Sequence, residues 1–239
     1  MLVDTRRELT IPGDYETTLK FCADHFLNTA EHAIQDHGAF FVALSGGSTP
    51  KALFERLTAP PYDTKINWQK VHLFWSDERS VPPNNKESNY HMAMQAGLSK
   101  MPIPQHQIHR MCAESDIEKN AELYEKTIRD VLKNQSFDMI MLGMGEDGHT
   151  ASLFPGTKGL EETKKFVVAN FIPQKNTWRM SLSFPCINAA KLTVFYILGA
   201  SKKEMLAKVL KAGDELPAQH VGTKEHPALF IADKAAAQG

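Results

Sequence analysis

The sequence predicts an α/β protein built on a mostly parallel, Rossmann-like sheet, with helices on both faces and a small antiparallel insertion. The main observation is that strand-length apolar runs alternate with helical patterns from residue 39 to residue 142, and again near the C-terminal end. Most of these runs are apolar throughout, as is typical of parallel strands buried on both faces. We expect the antiparallel insertion near residues 160–185. Because no linker is evident, we expect a single domain spanning residues 1–239.

The composition is that of an ordinary globular protein, with 239 residues, of which 42% are apolar and 23% are charged. The formal net charge of −1 gives no overall attraction to nucleic acid or to an anionic membrane, so we expect neither as a partner. Three cysteines lie far apart without CxxC spacing, which favours a reducing cytosol over a disulfide framework or a zinc ribbon. The first residues lack the apolar core of a signal peptide, so a cytoplasmic location is expected.

The first half of the chain begins with an amphipathic helix at residues 14–35, where apolar residues recur at helical spacing. A buried strand at residues 39–44, a polar glycine loop and a helix at residues 51–57 follow, with Pro50 near the first turn of that helix. The remaining elements before residue 110 are a buried strand at 71–75, a long polar loop at 80–90, a helix near 88–98 and a Pro-rich connection at 102–108.

The second half begins with a helix at residues 117–132 and a strand at 137–142. Residues 166–169 and 179–184 alternate between apolar and polar side chains, which predicts a half-exposed antiparallel pair. The last predicted elements are a buried strand at 192–198, a helix at 203–210 and a short strand at 228–232.

Four polar loops follow predicted strands, and they begin at Ser45, Ser76, Gly143 and Gly199. In open α/β sheets, ligands bind outside the carboxyl ends of the strands. In chain order, the first loop supplies backbone N–H donors and hydroxyls, and the second supplies acids and an arginine. The third supplies acids and a histidine, and the fourth supplies a lysine. Together they predict a pocket for a small, polar, anionic molecule.

The first of these loops is suited to a phosphate group, because it lies between a strand end and a helix start. Backbone N–H groups at a helix start have no partner within the helix, and they point in one direction. The alternative is a plain tight turn, but two glycines flanked by three hydroxyls supply more donors than a turn needs. The predicted phosphate-binding residues are Ser45, Gly46, Gly47, Ser48 and Thr49.

The third loop matches two nucleotide-binding patterns, GxGxxG and a P-loop that has histidine in place of lysine. Both are disfavoured, because Glu146 and Asp147 would place carboxylates where a pyrophosphate should lie. In addition, Pro155 would end any following helix early. His149 is better interpreted as an acid/base group whose tautomer Asp147 fixes, although a structural surface histidine is the alternative. His106 and His109 have no acids or cysteines at ligand spacing, so we expect surface residues and no metal site.

Three segments resemble one family, the 6-phosphogluconolactonases with their glucosamine-6-phosphate isomerase relatives. The first segment is residues 44–50 and the third is residues 143–156. The second lies within residues 75–90, where the matching stretches are Trp75-Ser76-Asp77-Glu78-Arg79, Val81-Pro82 and Ser88-Asn89-Tyr90. The deaminases in this group are similar, but typically have Asp-Glu-Tyr at positions 77–79. They also typically continue the histidine turn with Ile-Ala-Phe-Asn-Glu-Pro. Both differences favour the lactonases.

The resemblance implies hydrolysis of 6-phospho-D-glucono-1,5-lactone to 6-phosphogluconate in the oxidative pentose phosphate pathway, without a metal or organic cofactor. His149 would then be the general base, Asp147 would orient it, and Arg79 or backbone N–H groups would stabilise the oxyanion. Arg179 and Lys202 are candidate counter-charges for the phosphate, and Arg79 is an alternative candidate for that role.

Asp77 is a further predicted substrate-binding residue. Two other functions stay open at this point, a glucosamine-6-phosphate deaminase or isomerase activity and a non-catalytic sugar-phosphate-binding module.

Overall fold

The computed structural model describes residues 2–211, 213 and 215–237. The described residues form two sheets. Their strands are β1 (Leu2–Asp4), β2 (Arg7–Thr10), β3 (Phe40–Leu44), β4 (Val71–Trp75), β5 (Asp77–Arg79), β6 (Met139–Leu142), β7 (Val167–Ile172), β8 (Thr177–Leu182), β9 (Thr193–Ile197) and β10 (Ala228–Ala232). The α-helices in the described part of the chain are α1 (Tyr15–His37), α2 (Ser48–Leu57), α3 (Asn89–Gln95), α4 (Ile117–Leu132), α5 (Phe184–Ile187), α6 (Lys203–Val209) and α7 (Lys234–Ala237).

The larger sheet has the strand order β1-β2-β10-β9-β6-β3-β4, and its strands are parallel except for β1. Strands β3, β6 and β9 are buried along their whole length, so both faces of the sheet are covered, which confirms the predicted architecture. From β3 the chain passes through α2 to β4 on one side, whereas β6 pairs with β3 on the other side. The carboxyl ends of β3 and β6 therefore lie at a topological switch point, where open α/β sheets bind ligands.

The helix α1 shows how local signals set an element's bounds. The Asp14 side chain accepts a hydrogen bond from the Thr17 N–H and caps the first turn. Gly38 ends the helix in the left-handed region, with φ of 86°, where glycine is favoured. The prediction of residues 14–35 is therefore correct to within two residues.

Two parts of the structure differ from the sequence-based expectations. The hairpin of β1 and β2 was not predicted, because charged residues interrupt it. Arg7 is only 1% exposed, since its guanidinium pairs with Asp4 and donates to backbone carbonyls near the end of α6. Residues 76–79 were expected to form a polar loop, but residues 77–79 form β5, which pairs with β8 in the smaller antiparallel sheet β5-β8-β7.

The predicted antiparallel insertion is present as the hairpin of β7 and β8, although its strands extend beyond the predicted residues 166–169 and begin before residue 179. The expectation that His109 lies at the surface holds only in part, because the residue is half-buried. Its ring is stacked on Phe74, with centroids 4.4 Å apart, and its Nε2 lies 3.3 Å from Nδ1 of His72. None of the described helices is both long enough and apolar enough to cross a membrane.

Candidate active site

A cavity of about 290 Å³ opens at the carboxyl ends of β3, β6 and β9. The structure brings nearly all the predicted site residues to it. Those that line it are Ser45, Gly46, Gly47, Ser48, Thr49, Asp77, Arg79, His149, Arg179 and Lys202. The remaining predicted residue, Asp147, lies behind His149 and contacts it directly. The four loops predicted to meet at one edge of the sheet therefore do so.

His149 and Asp147 form a hydrogen-bonded pair, with 2.5 Å between Nδ1 of the imidazole and Oδ1 of the carboxylate. Partial burial acts to raise the pKa of Asp147, but the hydrogen bond and the charge of His149 outweigh it. The pKa of Asp147 is therefore held below its ordinary value, and the carboxylate stays ionised at neutral pH. Because Nδ1 is engaged by Asp147, Nε2 is the ring nitrogen left to exchange a proton with a bound molecule.

Two glycines shape the turn that carries this pair, and each is needed for a different reason. Gly148 has φ of +76°, in the left-handed region that favours glycine. Gly145 has an ordinary φ, but a Cβ atom there would lie 2.1 Å from Nδ1 of His149 and 2.8 Å from Oδ1 of Asp147. The turn is closed by hydrogen bonds from the Gly145 N–H to the His149 carbonyl and from the Gly148 N–H to the Gly145 carbonyl.

The glycine loop lies beside this turn, between β3 and α2. Helix α2 begins at Ser48, and no side chain in the described part of the chain caps it. Its first N–H groups are therefore free to bind an anion. Gly46 packs so tightly against Asn89 that a Cβ atom at position 46 would lie 1.9 Å from the Asn89 Oδ1. Glycine is thus required at position 46 for close packing.

Cations flank the cavity on the side of the smaller sheet. Arg79 of β5 and Arg179 of β8 are directly opposite each other across the strand pair. Burial, and then the charge of Arg79, lower the pKa of Arg179, although it remains a cation at neutral pH. Like charges directly opposite are unfavourable without a counter-ion, so this pair suits an anion. The Lys202 ammonium donates to the Met144 carbonyl at 2.8 Å, which holds it beside the glycine turn of His149.

The two adjacent acids of β5 have different roles. Asp77 lines the cavity and accepts hydrogen bonds from the Ser152 hydroxyl at 2.7 Å and from the Asn89 amide at 3.2 Å. Glu78 faces away, and its carboxylate accepts from the Ser88 hydroxyl and from three backbone N–H groups, those of residues 79, 89 and 90. Burial raises the pKa of Glu78. Glu78 therefore anchors the start of α3, whereas Asp77 is available to a ligand.

Some residues of the cavity were not predicted from the sequence. Among them are Asn89, Ser152, Phe154, Lys175 and Tyr196. Asn89 and Ser152 fall within the recognised segments, but only their contacts with Asp77 reveal a role at the site. Lys175 reaches the cavity from the turn between β7 and β8, and no local pattern marks it.

A sequence profile of the family described as "Glucosamine-6-phosphate isomerases/6-phosphogluconolactonase" matches residues 13–231. The chain belongs to this family. Among curated members, it is 40% identical to the 6-phosphogluconolactonase of Chlamydia muridarum over 232 residues, which cover 96% of this chain and 89% of that protein. It is 35% identical to the 6-phosphogluconolactonase of Haemophilus influenzae over 222 residues, which cover 87% of this chain and 95% of that protein.

Solved structures of the family have the same fold. The 6-phosphogluconolactonase of Thermotoga maritima superposes with a TM-score of 0.83 at 30% identity, covering 96% of this chain and all of that one. A protein described as devB superposes with a TM-score of 0.87 at 32% identity, covering 96% of this chain and 97% of that one. Both similarities extend over nearly the whole chain.

Proposed function

We propose that this protein hydrolyses 6-phospho-D-glucono-1,5-lactone to 6-phosphogluconate, a reaction of the oxidative pentose phosphate pathway. The observation that carries the proposal is that one cavity is bordered by both a histidine–carboxylate pair and a glycine loop that leads into the uncapped start of α2. The names of the similar proteins support the lactone as substrate. These two lines of support differ in kind, because the cavity shows which chemical groups lie together, whereas the similar proteins show which family the chain belongs to.

In the proposed mechanism, His149 is the general base. Its Nε2 takes a proton from a water molecule as the water oxygen attacks the lactone carbonyl carbon. Asp147 holds the imidazole through Nδ1 and stabilises the imidazolium that forms. The tetrahedral intermediate then collapses, the bond to the ring oxygen breaks, and His149 returns the proton to that oxygen. The product acid loses a proton to solvent, so one water is consumed and one proton is released.

The developing oxyanion needs preorganised donors. Arg79 and the backbone N–H groups of the glycine turns are the candidates. The Arg79 side chain is held by a hydrogen bond to the Glu87 carbonyl, so its position is fixed before substrate arrives. Asp77, a residue that is only 7% exposed but lines the cavity, is suited to accept a hydrogen bond from a sugar hydroxyl.

The phosphate is proposed to bind the glycine loop, with Arg179 and Lys202 as counter-charges. Arg79 is the alternative counter-charge, because it is paired across the strands with Arg179. Kinetics of Arg79→Ala separate the two roles. A fall in kcat assigns Arg79 to the oxyanion, and a rise in KM with kcat retained assigns it to the phosphate.

A coupled assay tests the proposed activity. Glucose 6-phosphate is oxidised by its dehydrogenase to generate the lactone, and the disappearance of lactone is compared with and without the protein. Acceleration over spontaneous hydrolysis is expected with the wild type and not with His149→Ala. Ammonia release from glucosamine 6-phosphate would instead indicate a deaminase, and sugar-phosphate binding without turnover would indicate a binding module.

The same assay tests whether a metal ion takes part. None of the proposed steps uses one, so turnover should persist in EDTA. Loss of activity that a divalent cation restores would contradict the proposed mechanism.

The cytoplasm is the proposed location of this reaction. All three cysteines are free thiols, which is the usual state in a reducing compartment. Burial raises the pKa of Cys22 to about 12 and also raises that of Cys186, so neither is a reactive thiolate at neutral pH. Cell fractionation followed by the lactone assay tests this location.

A further inference from the structure

The imidazole of His149 has an aromatic ring against its face as well as a carboxylate at its edge. The ring of Phe154 is stacked on it, with centroids 3.8 Å apart and planes inclined by 16°. Phe154 is only 4% exposed and lines the same cavity. The proposed catalytic steps give this ring no role, although it makes the closest ring contact of His149.

The position of Phe154 is well defined. The Phe154 carbonyl accepts hydrogen bonds from both the N–H and the hydroxyl of Thr157, the latter at 2.7 Å. The next carbonyl, that of Pro155, accepts from the Gln174 side chain at 3.0 Å. This second bond ties the segment to the turn between β7 and β8. The backbone that carries the ring is therefore held by hydrogen bonds that do not involve His149.

We propose that Phe154 is a positioning residue, which fixes the plane of the His149 imidazole for proton transfer and stabilises the imidazolium formed during the reaction. This inference rests on the general-base role proposed for His149. It adds a second support to the one that Asp147 provides. Asp147 fixes the edge of the ring through Nδ1, and Phe154 fixes its face.

The physical basis is the charge distribution of an aromatic ring, which is negative on its face and attracts a cation placed there. His149 is neutral before it accepts the proton and cationic afterwards, so the attraction is strongest when the proton has been transferred. An interaction that is stronger in the transition state than in the ground state raises kcat. A leucine at position 154 would cover the same face with apolar atoms but would lack the π electrons.

Other charges also act on His149, and all of them remain when Phe154 is replaced. Asp147 is bonded to it, Glu146 precedes that residue, and the Lys175 ammonium lies 5.7 Å from the centroid of the Phe154 ring. The other charged residues that line the cavity are Asp77, Arg79, Arg179 and Lys202. Comparison of Phe154→Leu with the wild type therefore isolates the aromatic face.

The kinetic test compares Phe154→Leu and Phe154→Tyr with the wild type. For the leucine variant we expect kcat to fall about three-fold, the rate equivalent of half a pKa unit, with little change in KM. We also expect the acid limb of the pH–rate profile to move to lower pH by about half a unit, because the imidazolium has lost a stabilising contact. Tyrosine keeps the aromatic face and should restore both values.

Phe74→Leu provides the matched control for a merely structural effect. Phe74 is fully buried and stacked on His109, outside the cavity. Its replacement should lower the melting temperature without moving the pH–rate profile. The inference is overturned if Phe154→Leu keeps the wild-type profile, or if Phe74→Leu produces the same shift.

An NMR titration separates this inference from the proposed function, because it needs no substrate. The His149 signals are assigned by their loss in His149→Gln, and the imidazole pKa is then measured in the wild type and in Phe154→Leu. A pKa lower by about half a unit in the leucine variant supports the stack even if the protein has no lactonase activity. An active enzyme whose imidazole titrates identically in both forms would refute the inference alone.

Discussion

Gly145→Ala should disable the active site without removing any side chain from it. The backbone of Gly145 lies outside the left-handed region, so alanine can adopt its conformation without strain. The added methyl group would, however, lie 2.1 Å from Nδ1 and 2.2 Å from Cε1 of His149, and 2.8 Å from Oδ1 of Asp147. The side chains of the pair must therefore move away from the substitution.

The size of that movement sets the expected effect. Ordinary van der Waals contact begins near 3.4 Å, so a contact of 2.1 Å requires the imidazole to move by roughly 1 Å. A displacement of about 1 Å in a catalytic group costs about 10²-fold in rate. We therefore expect kcat to fall about 100-fold while KM stays close to that of the wild type. The melting temperature should change little, because the displaced side chain is partly exposed and can rotate.

The coupled lactone assay measures kcat and KM, and circular dichroism measures the melting temperature. Gly143→Ala is the matched control in the same loop. Its added methyl would meet the Ser45 Oγ at 3.5 Å and the Gly46 carbonyl oxygen at 4.0 Å, which are ordinary contacts. If Gly145→Ala turns over at the wild-type rate, the imidazole is not required where the structure places it, and the reasoning is wrong.

Three further predictions concern the base, the phosphate and the pH dependence of stability. His149→Ala should lower kcat by about 10²–10⁴-fold, the usual contribution of a positioned acid or base, as measured in the lactone assay. Lys202→Ala and Arg179→Ala should each raise KM about ten- to a hundred-fold, since each removes a charge-assisted hydrogen bond, and kcat should be largely retained. Burial lowers the pKa of His25 to about 4, so below pH 6.5 the unfolded chain binds a proton that the folded protein excludes. The free energy of unfolding should therefore fall as the pH drops from 6.5 towards 4, by about 2 kcal/mol from His25 at pH 4.5, and urea titrations at pH 7 and pH 4.5 measure it.

Each of these predictions has a control or an outcome that contradicts it. Wild-type turnover in folded His149→Ala would exclude a general-base role. Lys203→Ala, which replaces an exposed lysine next to Lys202 but outside the cavity, should leave KM unchanged. For His25, the variant His25→Gln should show a weaker loss of stability between the two pH values. Equal losses in both proteins would mean that His25 is not the group that titrates.

The fold was predictable where burial and apolar composition coincide. Strand β3 is apolar throughout and β9 is apolar except for Thr193, and both are buried along their whole length, so their sequences alone identify them. The strand β2 was missed because it contains Arg7, which is buried through bonds to Asp4 and to the Lys211 carbonyl. The second of these contacts spans 204 positions in the chain, and no local pattern reports it.

The same distinction applies to the site. The contact between Asp147 and His149 is local, two residues apart, and the sequence predicted it. The contact of Ser152 with Asp77 spans 75 positions, and the packing of Gly46 against Asn89 joins two distant loops. Only the folded structure shows that these contacts belong to the site, because the residues that make them are far apart in the sequence. The resemblance to a family identified the segments, but it did not state which atoms touch.

The alternation of side chains along β5 explains which of its residues serve the cavity. If residues 77–79 formed a loop, nothing in the sequence would show which of their three charged side chains faces the cavity. In a strand, successive side chains point to opposite faces, so Asp77 and Arg79 share one face and Glu78 takes the other. The structure agrees, because Asp77 and Arg79 line the cavity while Glu78 binds the start of α3.

A shift of one residue in this short strand would exchange the roles of the two acids. Its register with β8, in which Arg79 lies opposite Arg179, therefore determines the charge of the cavity as much as its sequence does.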